Sequence, residues 1–322
     1  MLEPSPSAVA TKEMAGGTGG PPDALAEAVE FEVSRTKRYG VSGWLAMGWL
    51  AFVLVCAILI PMFMHAPVNT GKYANKGFLD ELKFPLGTDG NGNNMVLLLA
   101  KGARNSLIVS VGAILFGLVV GGSLGLVAGY FRGRLDSILT GIFNILLAIP
   151  QLVLAIALVS VLATDTIDNK GIPHPVSSGR RLLILVIALG IVSVPILARI
   201  TRANALQWSQ REFVLAARAQ GARNLTVMVR EVLPNVLPAM FSIALLGIAV
   251  AMVAEGGLSI LGVGVHFPSV SWGNMIAIGR ADLRASPHIV FEPIACIFLT
   301  VLSLNYLGDV IRARFDVRES VL

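Results

Sequence analysis

Six apolar stretches divide the chain, each bounded by basic or turn-forming residues: about Trp44 to Met64, Asn105 to Tyr130, Asp136 to Ala163, Leu182 to Ile200, Pro234 to Leu261 and Ile289 to Ile311. At about 1.5 Å of rise per residue, roughly twenty apolar residues cross a ~30 Å hydrocarbon layer, so each stretch predicts a transmembrane helix. The third carries Pro150 near its middle, with Asn144 and Gln151 close by. A helix break at that depth survives where it is buried in protein or lines a water-filled cavity. In the second, Gly117, Gly121, Gly125 and Gly129 recur every four residues. Such a small-residue stripe predicts a packing face that a neighbouring helix approaches closely.

The polar segments supply the domain plan. Residues 1–34 are rich in Gly, Pro, Ala and acids, a composition that buries too little apolar surface to offset ordering, so a disordered tail without a signal peptide's apolar core is expected. Residues 35–104 hold the first span, read as an uncleaved anchor, and a polar external segment. Residues 105–322 form the remaining transmembrane domain, with a loop at 201–233. Six spans place the tail, the Arg132/Arg134 turn, that loop and the C-terminus on one side. About fourteen Lys and Arg lie near span ends on that side and about ten on the other, so the positive-inside tendency predicts an N-in/C-in arrangement.

The loop contains Ser209 to Pro238, SQREFVLAARAQGARNLTVMVREVLPNVLP. Ser209 and Glu212 have capping-box spacing, which predicts a helix over Gln210 to Gln220. Gly221 is placed to close it in the left-handed conformation, and Asn224 to cap a second helix. The small side chains of Ala216 and Ala217 allow close approach by a partner, and Arg218 and Arg223 can pair with acids on it.

Composition narrows the function classes. A mean hydropathy of +0.74 and 14% charged residues exclude an ordinary soluble domain. The net charge of +5 is spread between spans rather than gathered in a patch with aromatics, so nucleic acid is not an expected partner, whereas membrane lipid is. Cys56 and Cys296 sit inside apolar runs, as packing residues do. No G-x-x-x-x-G-K-[ST] run and no H-E-x-x-H occurs, so no cofactor, catalytic or metal residues are assigned and ATP hydrolysis is not expected of this chain. His65, His174, His266 and His288 are scattered on the outer side. A self-sufficient secondary transporter would need ionisable groups at membrane depth; Asp136, Glu255 and Asp309 instead lie near span ends. A carboxylate at Glu255 is costly unless it reaches water, a partner or the protonated state, so Glu255 is expected to hold a gate or the permease partner.

The spacing Ala216-Ala217, Gly221, Leu233-Pro234 resembles the cytoplasmic loop motif of ABC-importer permeases, E-A-A, three residues, G, about nine residues, I-x-L-P. Leu215 stands where the opening glutamate is usual, with Glu212 three residues earlier. From about Pro85 to Asp316 the chain resembles the C-type permeases of dipeptide, oligopeptide and nickel importers. The likeness is carried by Pro85-Leu86-Gly87-Thr88-Asp89, Gly102-Ala103-Arg104, Gly129-Tyr130-Phe131, Ile149-Pro150, Leu258-Ser259-Ile260-Leu261-Gly262-Val263-Gly264, Ser271-Trp272-Gly273-Asn274-Met275 and Leu307-Gly308-Asp309. After Thr88-Asp89 the family continues with one residue and L-G-R-D, whereas this chain has Gly90, Asn91, Gly92, Asn93 and Asn94. The resemblance implies a type I ABC permease fold in the cell membrane. It also implies a second homologous permease, two ATPase subunits or domains that use ATP and Mg, and an extracytoplasmic solute-binding protein. On this reading the ATPase-coupling residues are Glu212, Leu215, Ala216, Ala217, Arg218, Gly221, Ala222 and Arg223, and the solute is a peptide or, as in other members, nickel or another small solute.

Overall fold

The computed structural model describes residues 40–64, 77, 84–163, 166–167, 173–174, 177–266 and 269–319, with side chains described to residue 313. The expected disordered tail and His65 lie outside the described residues, as does the side chain of His174. Among those described, helices dominate: α1 (Val41–Phe63), α2 (Met95–Phe131), α3 (Gly133–Ala148), α4 (Gln151–Leu162), α5 (Ser178–Trp208), α6 (Glu212–Ala219), α7 (Asn224–Ile260), α8 (Trp272–Gly279) and α9 (His288–Glu319). A two-residue antiparallel ladder, Thr166–Ile167 with Pro173–His174, is the strand content between α4 and α5.

Five of these helices are long and apolar enough to cross a membrane, and α3 with α4 makes a sixth span if the pair is counted as one. That pair is broken rather than gently kinked, with a 91° bend between its halves. The cause is local. Pro150 offers no N–H and forces the preceding residue out of the helical region, and Ile149 accordingly has φ −86° and ψ 129°.

The second span begins earlier than the apolar pattern indicates. Asn94 caps α2, its side-chain oxygen accepting the Val96 N–H at 2.9 Å. The boundary drawn between residues 104 and 105 therefore falls inside a helix. Lys101, Arg104 and Asn105 interrupt the apolar run without interrupting the backbone, because a 37-residue helix extends past the hydrocarbon layer. Asn91, Asn93 and Asn94 build the turn that feeds it: Asp89 Oδ1 accepts from the amides of Asn91 (2.9 Å) and Asn93 (2.7 Å).

Helices α2 and α5 pack through the glycine stripe. A Cβ added at Gly121 would lie 3.1 Å from Val194 Cα and still closer to that residue's carbonyl oxygen. At Gly125 it would strike the Ala198 carbonyl, at Gly129 the Arg202 carbonyl and at Gly117 the Ser193 side chain. Helix α1 joins along α9 through Ser42 Oγ donating to Tyr306 Oη (2.6 Å) and Trp49 Nε1 donating to Thr300 Oγ1 (3.1 Å). Helix α7 contains a π-turn at Met228–Val232, just before Pro234. The wider turn accommodates a ring that would otherwise press on the carbonyl four residues back.

Gly121→Ala should destabilise the protein by about 1–3 kcal/mol through overpacking against α5. Gly141→Ala, where no atom lies within 4 Å of the added Cβ, should be neutral or gain the usual glycine-to-alanine increment in a helix. Thermal unfolding of the two detergent-purified variants checks this; equal midpoints would show that the stripe is not a tight contact.

Candidate functional site

Two constellations stand out, at opposite ends of the bundle. The first surrounds α6. Helix α5 runs to Trp208, and Ser209 follows it with φ −66° and ψ −10°, donating its hydroxyl to the Leu206 carbonyl (2.9 Å) and its amide to Ala205 (2.9 Å). The capping box expected of Ser209 and Glu212 therefore does not form. An N-cap needs extended backbone, and Ser209 instead closes the preceding helix. Arg211 occupies the N-cap of α6, with no side-chain cap. Glu212 remains in the first turn, where its charge suits the helix dipole. Asn224 does not cap either: Arg223 holds that place, and Asn224 Oδ1 accepts from Tyr130 Oη at 3.4 Å.

The far end of α6 closes through Gly221, at φ 83°. The Ala222 amide donates to Ala217 O (3.2 Å) and the Gly221 amide to Arg218 O (2.9 Å), the paired bonds of a Schellman turn. Val214, fully buried, pins α6 to a core of Leu126, Tyr130, Ala205, Val227, Met228, Val232, Val236 and Met240, and Ala217 packs against it. Glu212, Leu215, Ala216, Arg218, Gly221, Ala222 and Arg223 are exposed, so of the alanine pair one faces in and one out. Phe213 and Leu225 also lie on this surface, exposed at 40% and 64%. Apolar side chains in an otherwise polar loop were the signal for them in the sequence.

Ion pairing fixes the surroundings. Arg202 on α5 grips Asp136 on α3 through Nε and Nη2, the latter at 2.6 Å from Oδ2. Arg199 Nη2 donates to Asn144 Oδ1 at 2.8 Å. Asp136 and Asn144, polar residues of the third stretch, thus tie α3 to α5. At the α2–α3 corner Arg132 has φ 54° and ψ −162°, a glycine-only region that costs on the order of 1–3 kcal/mol.

The second constellation is Glu255, on α7. It is completely buried within this chain, with its hydrogen-bond partners supplied by the chain itself. Ser259 Oγ (2.8 Å) and Ser271 Oγ (2.7 Å) donate to its Oε1, and Ser106 Oγ (3.3 Å) to its Oε2. Two of these serines in turn accept backbone N–H groups of α8: Ser106 Oγ from Trp272 (3.2 Å) and Ser271 Oγ from Asn274 (3.1 Å). One carboxylate thereby joins α2, α7 and the start of α8, and Gly273 packs on Gly256 beside it.

Between them, at the α3–α4 break, a cavity of about 240 Å³ opens among α2, α4, α5 and α7. Its wall is apolar, including Ile114, Leu189, Ile196 and Val250, apart from Gln151 and Ser193. Among the described residues no three or more His, Cys, Asp or Glu side chains converge as metal ligands. His288 Nε2 lies 3.0 Å from Thr88 O, and His266 Nδ1 2.8 Å from Gly264 O. Sequence reasoning also passed over Glu292 on α9, whose two carboxylate oxygens are buried without a hydrogen-bond partner among the described residues.

Five helices long and apolar enough to cross a membrane, a broken pair that makes a sixth span, and a short helix presented beside them are the architecture of a multi-pass membrane protein. The chain belongs to the family described as binding-protein-dependent transport system inner membrane component, matched over residues 121–321. It is 34% identical over 270 residues to the dipeptide transport system permease protein DppC of Alkalihalophilus pseudofirmus, covering 82% of this chain and 83% of that protein. It is 33% identical over 231 residues to the glutathione transport system permease protein GsiD of Pectobacterium atrosepticum, covering 72% and 71%. Among solved structures, the inward-facing MetNI methionine ABC transporter superposes with a TM-score of 0.54 at 18% identity, over 68% of this chain and 97% of that one. The fold is that of a type I permease. The chain is thus a multi-pass inner-membrane transport component of an ABC importer, and ATP hydrolysis resides in separate subunits.

Glu255→Ala should leave three serine hydroxyls without their acceptor and a cavity behind, costing about 3 kcal/mol or more. Glu255→Gln keeps the volume and one acceptor, and should fold with reduced uptake. Unfolding midpoints of both variants beside wild type provide the measurement; an unchanged midpoint for the alanine variant would remove Glu255 from its structural role.

Proposed function

We propose that this chain forms one half of a channel with a second, homologous permease, accepts peptides or related small solutes from an extracytoplasmic binding protein, and is driven through α6 by two ATPase subunits. The observation that carries the coupling role is the build of α6. It is short and held from beneath by Val214 and the Gly221 turn, and it directs outward a surface with Phe213, Leu215, Ala216, Arg218 and Arg223. A loop pinned this way moves with the spans when its outer face is pulled. Where other importers offer a glutamate, Leu215 makes the contact apolar, with Glu212 as the nearest charge.

Peptide as the solute class is supported by the names of the two relatives, a dipeptide and a glutathione permease. The cavity beside Gln151 is lined by described residues without a charged side chain, which supports a reading in which selection rests with the binding protein. A second membrane subunit is supported by α9, where Phe291, Phe298 and Leu302 form an exposed apolar face.

Gly221→Val forces a β-branched residue into positive φ. It should leave a membrane-inserted chain that loses its ATPase subunits or keeps them with hydrolysis uncoupled from uptake. Proteoliposome uptake together with ATPase assays decides; wild-type uptake with ATPases bound would remove α6 as the mechanical link. For orientation, cysteine introduced at Ser178 should react with an impermeant thiol reagent in intact cells, and cysteine at Gln210 only after permeabilisation. The reverse pattern would invert the membrane topology and end the coupling role of the loop.

A further inference from the structure

A cavity of about 400 Å³ lies between α6 and the ends of α2 and α5, with Arg132, Arg218, Ser209, Tyr130, Phe131 and Leu215 in its wall. The wall has two guanidinium groups and no carboxylate. Arg218 stacks over the Tyr130 ring at 4.8 Å, which holds its charge at the cavity without neutralising it. Arg132 donates from Nη2 to Ser209 Oγ at 3.2 Å, which aims its remaining N–H groups. Its backbone conformation would suit glycine without strain, so the side chain is what this corner gains by having arginine.

The cavity also has an apolar margin. Phe131 and Leu215 are exposed at 47% and 52%, and Phe131 is the last residue of a membrane-crossing helix. Trp208, the last residue of α5, lies under Arg211 at 5.2 Å. Aromatic and basic residues at span ends occupy the headgroup layer. Paired arginines read a phosphate's oxygens, and the apolar margin matches the start of acyl chains.

We propose that this cavity is a binding site for an anionic phospholipid, its phosphate held between Arg132 and Arg218, in the leaflet on the side of α6. The inference rests on the proposed reading in placing that leaflet against the ATPases; the bound lipid then fills the gap between α6 and the span ends, making ATPase coupling dependent on lipid charge.

The test uses the importer complex purified through a tag on this chain and reconstituted in nanodiscs of phosphatidylcholine with and without phosphatidylglycerol. Native mass spectrometry should show wild type retaining phosphatidylglycerol in preference to phosphatidylcholine. Arg132→Gln should lose that preference, and Arg132→Lys should keep most of it, which separates charge from folding. Transport-coupled ATPase activity should rise with phosphatidylglycerol in wild type and not in Arg132→Gln. Equal retention by wild type and Arg132→Gln would overturn the site. Displacement of the lipid by millimolar inorganic phosphate would overturn it in favour of a small-anion site. Loss of ATPase subunits from Arg132→Gln in pure phosphatidylcholine would overturn it in favour of a protein contact. Lipid retention that depends on Arg132 while Gly221→Val transports normally would keep the lipid site and reject the coupling role of α6.

Discussion

Backbone-to-backbone contact between α2 and α5 is the constraint on which the rest of the bundle depends. Lipid tails are as apolar as leucine, so two membrane helices gain little by burying large side chains against each other. They gain by fitting closely. The absent side chains of Gly121, Gly125 and Gly129 let carbonyls of α5 approach where a methyl group has no room. With that seam fixed, the ends of the two helices are fixed as well. At one end α5 delivers Ser209 to Arg132 and starts α6; at the other α2 delivers Ser106 to Glu255. The polar machinery at both ends thus inherits its geometry from a contact made chiefly of backbone.

Much of this was legible in the chain because it is local or periodic. The apolar runs announced the spans, the four-residue glycine interval announced the seam, and Gly221 announced its turn by the only residue type that enters it freely. Pro150 announced a break, although its severity, two helices at a steep angle, depends on what packs around it. The failures share a cause. Ser209 fits a capping box by spacing, but whether it starts one helix or ends another is set by how far α5 runs, and that is decided by Ala205 seated against Gly129 on α2. The serine donors of Glu255 were not legible as a set, because they come from three separate places in the chain, one of them 149 residues away. The same holds for Asp136, whose partner Arg202 lies 66 residues away.

The two constellations differ in how they treat charge. At Glu255 a carboxylate is wholly enclosed and its oxygens are taken up by hydroxyl groups whose own lone pairs serve the backbone of α8. Such an arrangement is stiff, since no member can turn without stranding another. Around α6 the arginines sit at the surface, stacked on aromatic rings or shared with carbonyl oxygens, and remain free to exchange partners. The molecule is therefore anchored at its Glu255 end and adaptable at its α6 end, which suits a protein that holds its shape on one face of a membrane while another protein works on the other.

Helix α7 connects those ends in one piece. It starts directly after the Gly221 turn and, past its π-turn, runs on to Glu255. From Val227 to Glu255 the axis is about 40 Å long at about 1.5 Å per residue. A rod of that length is a lever: tilting it by about 5° around the α6 end sweeps the far end through roughly 3–4 Å, by the same rise per residue. That arc is comparable to the length of the hydrogen bonds by which Ser106 and Ser271 hold Glu255, so a stiff cluster at the far end requires α7, α8 and the start of α2 to shift together when α6 is displaced.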